Sequence, residues 1–398
     1  MCNSHEYATM MLEANPEAYR SIFEKSVAEF GGNMENLQFN ADTNWYDELL
    51  RTAMMTNHSL NISGGTKKAT SSAGMSYLAQ DGIMDVENYY RRLNFRAALD
   101  YEARKWLKVG FNGVFSNSQQ QLPKNAAWQQ AYNTPSIIPV YDDRRDDAVF
   151  PKKYTSPEQV GLTNNFNNPV ATANYYDNRN ETYQVLTNFY AQLNLIPDKL
   201  NIRSSYSYDY SMIRGSEFTP TYYVGTNQKK EVTELTKKNT NYYKYIWDNV
   251  ATYTDKWGKH SFTGMLGASM RQEQYRLLEG TATNVPEGED VWKYIALGNK
   301  EGATVKDDGW KYRGLSYFTR LNYNYNDKYM LMFTFRADGS SKYNDKWGYF
   351  PSIGAAWVIS QEPFMKNQNI FDYMKLRASW GMTGNQEGIG NYDSRSLA

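Results

Sequence analysis

Cysteine is almost missing from this chain. Cys2 is the only one in 398 residues, so no disulfide and no cysteine-based metal site can form within it. Histidine is nearly as scarce: His5, His58 and His260 stand far apart, and none has a ligand-like partner spacing. That leaves no basis for a histidine metal centre or a Ser/His/Asp set, and no catalytic, cofactor-binding or metal-binding residue is assigned. Surplus charge is absent as well. Lys+Arg and Asp+Glu are 43 each, which gives no electrostatic case for nucleic acid. No apolar run approaches the roughly 18–20 residues that a spanning helix needs, and the mean hydropathy is −0.74. A helical membrane protein is excluded; a β-barrel is not, because only alternate residues of a barrel strand meet lipid. The first residues show no charged region leading into an apolar one. No secretory leader is read there, and the start of the whole protein is expected upstream.

What the chain has in excess is aromatic side chains, 15% of the total, with 34 Tyr and 10 Trp. Tyr and Trp favour water–lipid boundaries, where one end of the ring is wet and the other dry. The stretch 313–380 shows how they are used. Leu315, Tyr317, Thr319, Leu321, Tyr323 and Tyr325 alternate with Ser316, Phe318, Arg320, Asn322 and Asn324. Asn326-Asp327 then turns the chain. Tyr329, Leu331, Phe333, Phe335 and Ala337 return opposite Lys328, Thr334, Arg336 and Asp338. Two more runs follow, one through Tyr349, Ile353 and Trp357, the other through Leu376, Ala378 and Trp380. A period of two predicts strands with one apolar and one polar face. Lipid outside and water inside a barrel wall call for that pattern.

Residues 5–30 read as two short helices broken at Asn15-Pro16 and stopped by Gly31-Gly32, with another helical stretch over 44–51. Alternation begins near Asn57 and continues with interruptions to the end. Between 119 and 178 it lapses. That segment carries Pro123, Pro135, Pro139, Pro151, Pro157 and Pro169 and an acidic-basic cluster over 142–147. So long a connection marks function or an external loop. Short turns near Gly64, Lys105, Pro197, Gly258 and Asn326 alternate with longer ones near Gly82 and over 119–178, 213–239, 279–309 and 339–348. Up-and-down membrane barrels sort their connections in this way, short on one side and long on the other. The expected fold is therefore all-β: a partial transmembrane up-and-down antiparallel β-barrel of about 12 strands, with short N-terminal helices.

The acidic pairs Asp142-Asp143, Asp146-Asp147 and Asp307-Asp308 read as solvated loop charge rather than a calcium or hydrolytic site, because Arg144, Arg145 and Lys306 sit among them. The run from Ser63 to Lys68 lacks phosphate-loop spacing and reads as a turn. Loop aromatics are the binding candidates: Trp128, Tyr132, Tyr141, Trp292, Tyr294 and Trp310 lie in the long connections, away from the lipid-facing rows. Rings of this kind stack on sugar faces or peptide side chains. Packing of one loop on another is the ordinary alternative. Tyr206, Tyr208, Tyr210, Tyr243, Tyr245 and Trp247 are assigned to lipid-facing rows, and Arg336 with Asp338 to a structural contact.

Four runs, in order, resemble one family: NWYDEL (44–49) with NHSLNISGGT (57–66), GMSYLAQDGI (74–83), RADGSSK (336–342) with WGYFPS (347–352), and KLRASWGMTGNQ (375–386) with IGNY (389–392). Together they closely resemble the SusC/RagA family of TonB-linked outer-membrane transporters of Bacteroidota. The resemblance implies a barrel of roughly 22 strands around a plug. It also implies energy-dependent import of glycans or peptides, with a SusD-like lipoprotein as lid and the TonB–ExbB–ExbD complex as drive, in the cell outer membrane with several passes. On this reading residues 1–55 are a helical connector between the plug and the barrel. Residues 56–398 are an incomplete barrel with long extracellular loops, and the chain is an internal fragment. A secreted β-protein that binds glycans without entering a membrane is the alternative; a barrel enzyme is the poorest of the three.

The alternation makes a direct prediction. Leu331→Arg, aimed at mid-bilayer, is expected to cost about 2–4 kcal/mol and impair assembly, while Thr334→Arg on the opposite face is tolerated. Outer-membrane recovery of the two variants checks this, and equal tolerance of both would show the face assignment to be wrong.

Overall fold

The computed structural model describes residues 2–163, 166–365, 367, 368 and 370–393. Its main body is one twelve-stranded antiparallel sheet in which every strand pairs with its neighbours in sequence. In chain order the strands are β1 (Met55–Gly65), β2 (Ala69–Asp81), β3 (Tyr89–Arg104), β4 (Leu107–Gln121), β5 (Asp177–Ile196), β6 (Leu200–Thr219), β7 (Glu234–Trp257), β8 (His260–Thr283), β9 (Thr304–Tyr325), β10 (Tyr329–Ser340), β11 (Trp347–Val358) and β12 (Lys375–Gly381). β1 and β12 are the two edges, and among the described residues they do not meet. This is the partial up-and-down wall that the alternation predicts.

The register carries each apolar row across the wall. Phe189 of β5 pairs with Tyr206 of β6, and Tyr206 with Trp247 of β7. Trp247 pairs with Met270 of β8, and Met270 with Leu315 of β9. Tyr208 faces Tyr245 and Tyr210 faces Tyr243, so those four tyrosines share the apolar face. Among the described residues nothing covers that face. Leu266 is 66% exposed, Leu331 52% and Ile353 50%. The polar face is knitted by side-chain hydrogen bonds between strands, as in Asn188–Ser207 at 2.7 Å and Asn94–Ser76 at 3.0 Å.

Strand length departs from expectation at one end. β7 and β8 each run 24 residues, roughly 80 Å at strand rise, far more than the 9–11 residues that cross a bilayer. The segments 213–239 and 279–309, read as loops, are therefore partly strand: 213–219 and 234–239 extend β6 and β7, and 279–283 and 304–309 extend β8 and β9. Beyond the apolar band both faces are polar, so alternation stops although the ladder continues. The tight turns stand as expected: Asn326 and Asp327 have φ of 54° and 55°, the left-handed pair of a two-residue hairpin. One connection breaks the sorting. Residues 359–374 join β11 to β12 on the short-turn side. They are anchored by Glu362, which accepts from Tyr329 Oη (2.6 Å), Trp357 Nε1 (3.0 Å) and Lys328 Nζ (3.0 Å).

The conventional hydrophobic core lies elsewhere, at the long-connection end. Helices α1 (Ser4–Ala14) and α2 (Pro16–Phe30) are separated at Asn15, whose side chain caps α2, and Gly31 ends α2 with φ of 88°. α3 (Trp45–Leu49) follows. These pack on the β4–β5 connection, which folds into α4 (Ala126–Asn133), a 3₁₀ turn (Pro157–Val160) and α5 (Pro169–Asn174). Phe23, Trp45, Leu49, Ile137, Ile138 and Val160 are buried in their common core. Polar ties reinforce it: Trp45 Nε1 donates to Pro135 O (3.0 Å), Ser26 Oγ to Ile137 O (2.8 Å) and Thr43 Oγ1 to Ile138 O (2.6 Å). Buried Asn168 donates to Val140 O and Thr155 O, caps α5 and receives Gln228 at its own carbonyl. The segment without periodicity is thus a folded knob with its own core.

Because knob and wall are held by different forces, they are expected to fail separately. Trp45→Ala, which empties a fully buried site, should cost the knob about 3–5 kcal/mol. Limited proteolysis should then cut 122–176 readily, while the β-sheet signal of the wall in circular dichroism is unchanged.

Candidate ligand-facing surface

The polar face near the long-connection end carries a row of three rings. Tyr242 of β7 pairs with Tyr275 of β8, and Tyr275 with Trp310 of β9. The ring centroids are 5.0 and 6.0 Å apart. The pleat aims these rings opposite to Tyr243 and Tyr245, one residue along. Beside them Glu273 pairs with Lys244 (3.5 Å) and with Arg271. Arg336 Nε meets Asp338 at 2.7 Å and Nη2 reaches Ser316 Oγ at 3.0 Å.

A cavity of about 540 Å³ opens here, lined by Arg271, Tyr312, Arg336, Asp338, Tyr343 and Phe350 among others. Residues 384–389 fold back over it. Lys342 Nζ donates to Gln386 O (3.2 Å) and Ile389 O (2.8 Å), and Tyr312 Oη to Gln386 Oε1 (3.3 Å). The RADGSSK and WGMTGNQ runs, distant in sequence, close one rim. Aromatic faces flanked by paired charges stack on rings and hydrogen-bond to hydroxyls or amides. They offer no nucleophile with a base beside it.

The six sequence candidates do not form one site. Trp128 is half-buried in the knob, its ring 6.3 Å from that of Tyr46. Tyr132 projects from α4 at 76% exposure. Tyr141 is exposed and stacks at 5.1 Å on buried Tyr154. Trp292 and Tyr294 are exposed on the β8–β9 connection, with the Lys237 ammonium 5.0 Å from the Tyr294 ring. Trp310 is not in a loop: it sits within β9, because that strand continues past the apolar band. Its partners Tyr242 and Tyr275 escaped the sequence reading. Adjacent Tyr242 and Tyr243 were the available signal, since two neighbouring strand residues must face opposite ways.

The acidic cluster also needs correction. Asp142 is not solvated; it is buried, held by Arg144 Nε at 2.8 Å and Gln159 Nε2 at 2.9 Å. The Arg144 hydrogen bonds bring its carboxyl down to about 2. Arg144 also reaches Glu29 of α2 at 3.1 Å. Arg145 donates to Tyr154 O and Val224 O, and burial lowers its pKa. Burial likewise lifts Tyr175, stacked at 4.5 Å on Tyr222, to about 12. These groups are structural cement of the knob. No cluster able to hold a metal occurs among the described residues.

No family model matches the sequence. Curated relatives do. TonB-dependent receptor P26 of Formosa agariphila is 30% identical over 366 residues, covering 89% of this chain and 35% of its own length. TonB-dependent receptor SusC of Bacteroides thetaiotaomicron is 28% identical over 383 residues, covering 88% and 36%. The chain thus spans about a third of the relatives it matches. Among solved structures the RagAB peptide transporter superposes with a TM-score of 0.74 at 22% identity, over 90% of this chain and 40% of that one. The match establishes the fold of the wall.

The Asp142 contacts fix a pH response. Its carboxyl ionises near 2 when folded, against 3.8 ordinarily, so the unfolded knob holds the proton more tightly. The contribution is complete above about pH 4 and is lost as pH falls towards 2. Protease sensitivity of 122–176 should rise across that window, and Asp142→Asn should flatten the response.

Proposed function

We propose, from the chain's kinship with the SusC-type TonB-dependent receptors, that it forms wall of an outer-membrane importer, each long strand crossing the bilayer once. The observation that carries this is the uncovered apolar face. A twelve-stranded sheet exposes rows of Leu, Ile, Phe and Tyr while its polar face bears the charged pairs. In water, so large a patch would drive association; in hydrocarbon it is the solvated side. The same observation disfavours a secreted glycan binder. The enzyme reading is set aside, since the relatives are receptors and transporters.

On this reading the polar face lines the lumen and the long connections lie outside the cell. Residues 1–55 are a helical connector that joins the external knob and leads into the wall, and 56–398 carry the wall with the rest of that knob. The cargo is an oligosaccharide or peptide, met first by Tyr132, Tyr141, Trp292 and Tyr294 and then by the Tyr242–Tyr275–Trp310 row. Trp128 supports that surface from within. A SusD-like lipoprotein closes over this end, and the TonB–ExbB–ExbD complex supplies energy from the other.

Two measurements test the proposal. The receptor carrying this chain should fractionate with detergent-extracted outer membrane and migrate differently when boiled; recovery as a soluble periplasmic protein would reject it. Double substitution of Tyr275 and Trp310 by Ala, with surface level unchanged, should lower cargo uptake about tenfold, at roughly 0.5–1.5 kcal/mol per lost ring contact.

A further inference from the structure

The apolar rows end abruptly towards the long-connection side, and a basic residue stands at the end of several. On that face Leu93 is followed by Arg91, Met212 by Arg214, and Leu315 by Arg313 and Lys311. Arg276 lies one strand away from Lys311 and Lys237 one strand further. Carboxylates share the face: Glu181 bonds to Tyr183 Oη at 2.7 Å, and Asp307 lies opposite Leu278. On the opposite face Lys238, Lys244, Arg271 and Arg336 each have a carboxylate partner. Arg214 stands directly across from Glu181, whereas among the described residues Arg91, Lys237, Arg276, Lys311 and Arg313 have no carboxylate within salt-bridge distance.

One pocket concentrates this pattern. An open cleft of about 550 Å³ is lined by the cations Lys311, Arg313 and Lys346, by Ser340, Ser341 and Tyr392, and by Leu315, Gly339 and Trp347. No carboxylate lines it. The Trp347 ring stacks on Tyr317 at 6.0 Å, and Arg313 is oriented by Gln272 Oε1 at 3.2 Å. Cations sit over an apolar floor that continues into the lipid-facing rows. An anionic headgroup joined to acyl chains has that division of chemistry.

We propose that this pocket binds the phosphate of a phosphorylated lipid of the outer leaflet, whose acyl chains run down over Leu315 and Trp347. The inference rests on the membrane reading above and extends it to a specific annular lipid. Its test uses the receptor carrying this chain, placed in phosphatidylcholine bicelles doped with lipid A or with the same lipid dephosphorylated. Wild type, Arg313→Gln with Lys346→Gln, Trp347→Ala, and Lys256→Gln at the short-turn end are compared. Wild type and the Lys256 variant should retain lipid A equally. The double Gln variant should retain it at least about tenfold less, since each basic residue near a charged surface contributes roughly 1 kcal/mol. Dephosphorylated lipid should not discriminate between them, and inorganic phosphate should not displace lipid A. Loss in the Trp347 variant marks the acyl contact. Equal retention by the double variant, or displacement by phosphate alone, overturns the proposal. Heat-dependent migration of every sample is read in parallel, so a receptor that forms no barrel sinks the membrane reading itself, whereas an intact barrel without phosphate preference sinks only this one.

Discussion

Every backbone N–H and C=O in a membrane-spanning segment needs a partner within the protein, because hydrocarbon offers none. On the proposed reading of the sheet as barrel wall, the long antiparallel ladder answers that constraint, and the rest of the structure follows from it. Between β2 and β11 each strand is bonded on both sides over most of its length. Once the ladder holds the chain, side chains need not converge on a common interior. The wall can therefore carry its apolar residues outwards, opposite to a soluble sheet. Glycines beneath large rings fit the same economy: the Phe318 ring lies over Gly267, its cross-strand partner, on the polar face.

The knob obeys other rules. It has short capped helices, a buried indole hydrogen-bonded to a carbonyl, and an asparagine whose amide satisfies several backbone groups at once. These are the devices of a small water-soluble domain. Its core draws on four stretches: the N-terminal helices, Met84 of the β2–β3 connection, the β4–β5 connection, and the segment around Val224. None of those burial contacts depends on what the apolar face of the wall touches. One chain thus solves two solvent problems side by side.

How much of this was legible in the sequence depends on which rule governed each residue. Strand alternation, the two-residue turn at Asn326-Asp327 and the break at Asn15-Pro16 are local, and they read correctly. The upper halves of β7 and β8 did not, because strand with water on both faces has no hydrophobic period. Asp142 looked solvated, since nothing nearby in sequence reveals that Gln159 and Glu29 would enclose it and its arginine. Tyr242, Tyr275 and Trp310 became a row only through register, which pairs residues far apart in the chain. The rim of the polar-face cavity is harder still: Lys342 gains its meaning from carbonyls at Gln386 and Ile389.

Consider where the knob joins the wall. Gln121 ends β4, Asp177 begins β5, and their side chains are bonded at 3.2 Å. The chain leaves the sheet and re-enters it at adjoining points. Whatever lies between these posts can change length and content without disturbing strand register, provided its inner contacts with α2, α3 and the segment around Val224 change in concert. Such an arrangement would let the outer segment vary while the scaffold stays intact. The seam at Gln121 and Asp177 is where exchange of whole segments between paralogues would leave the least damage.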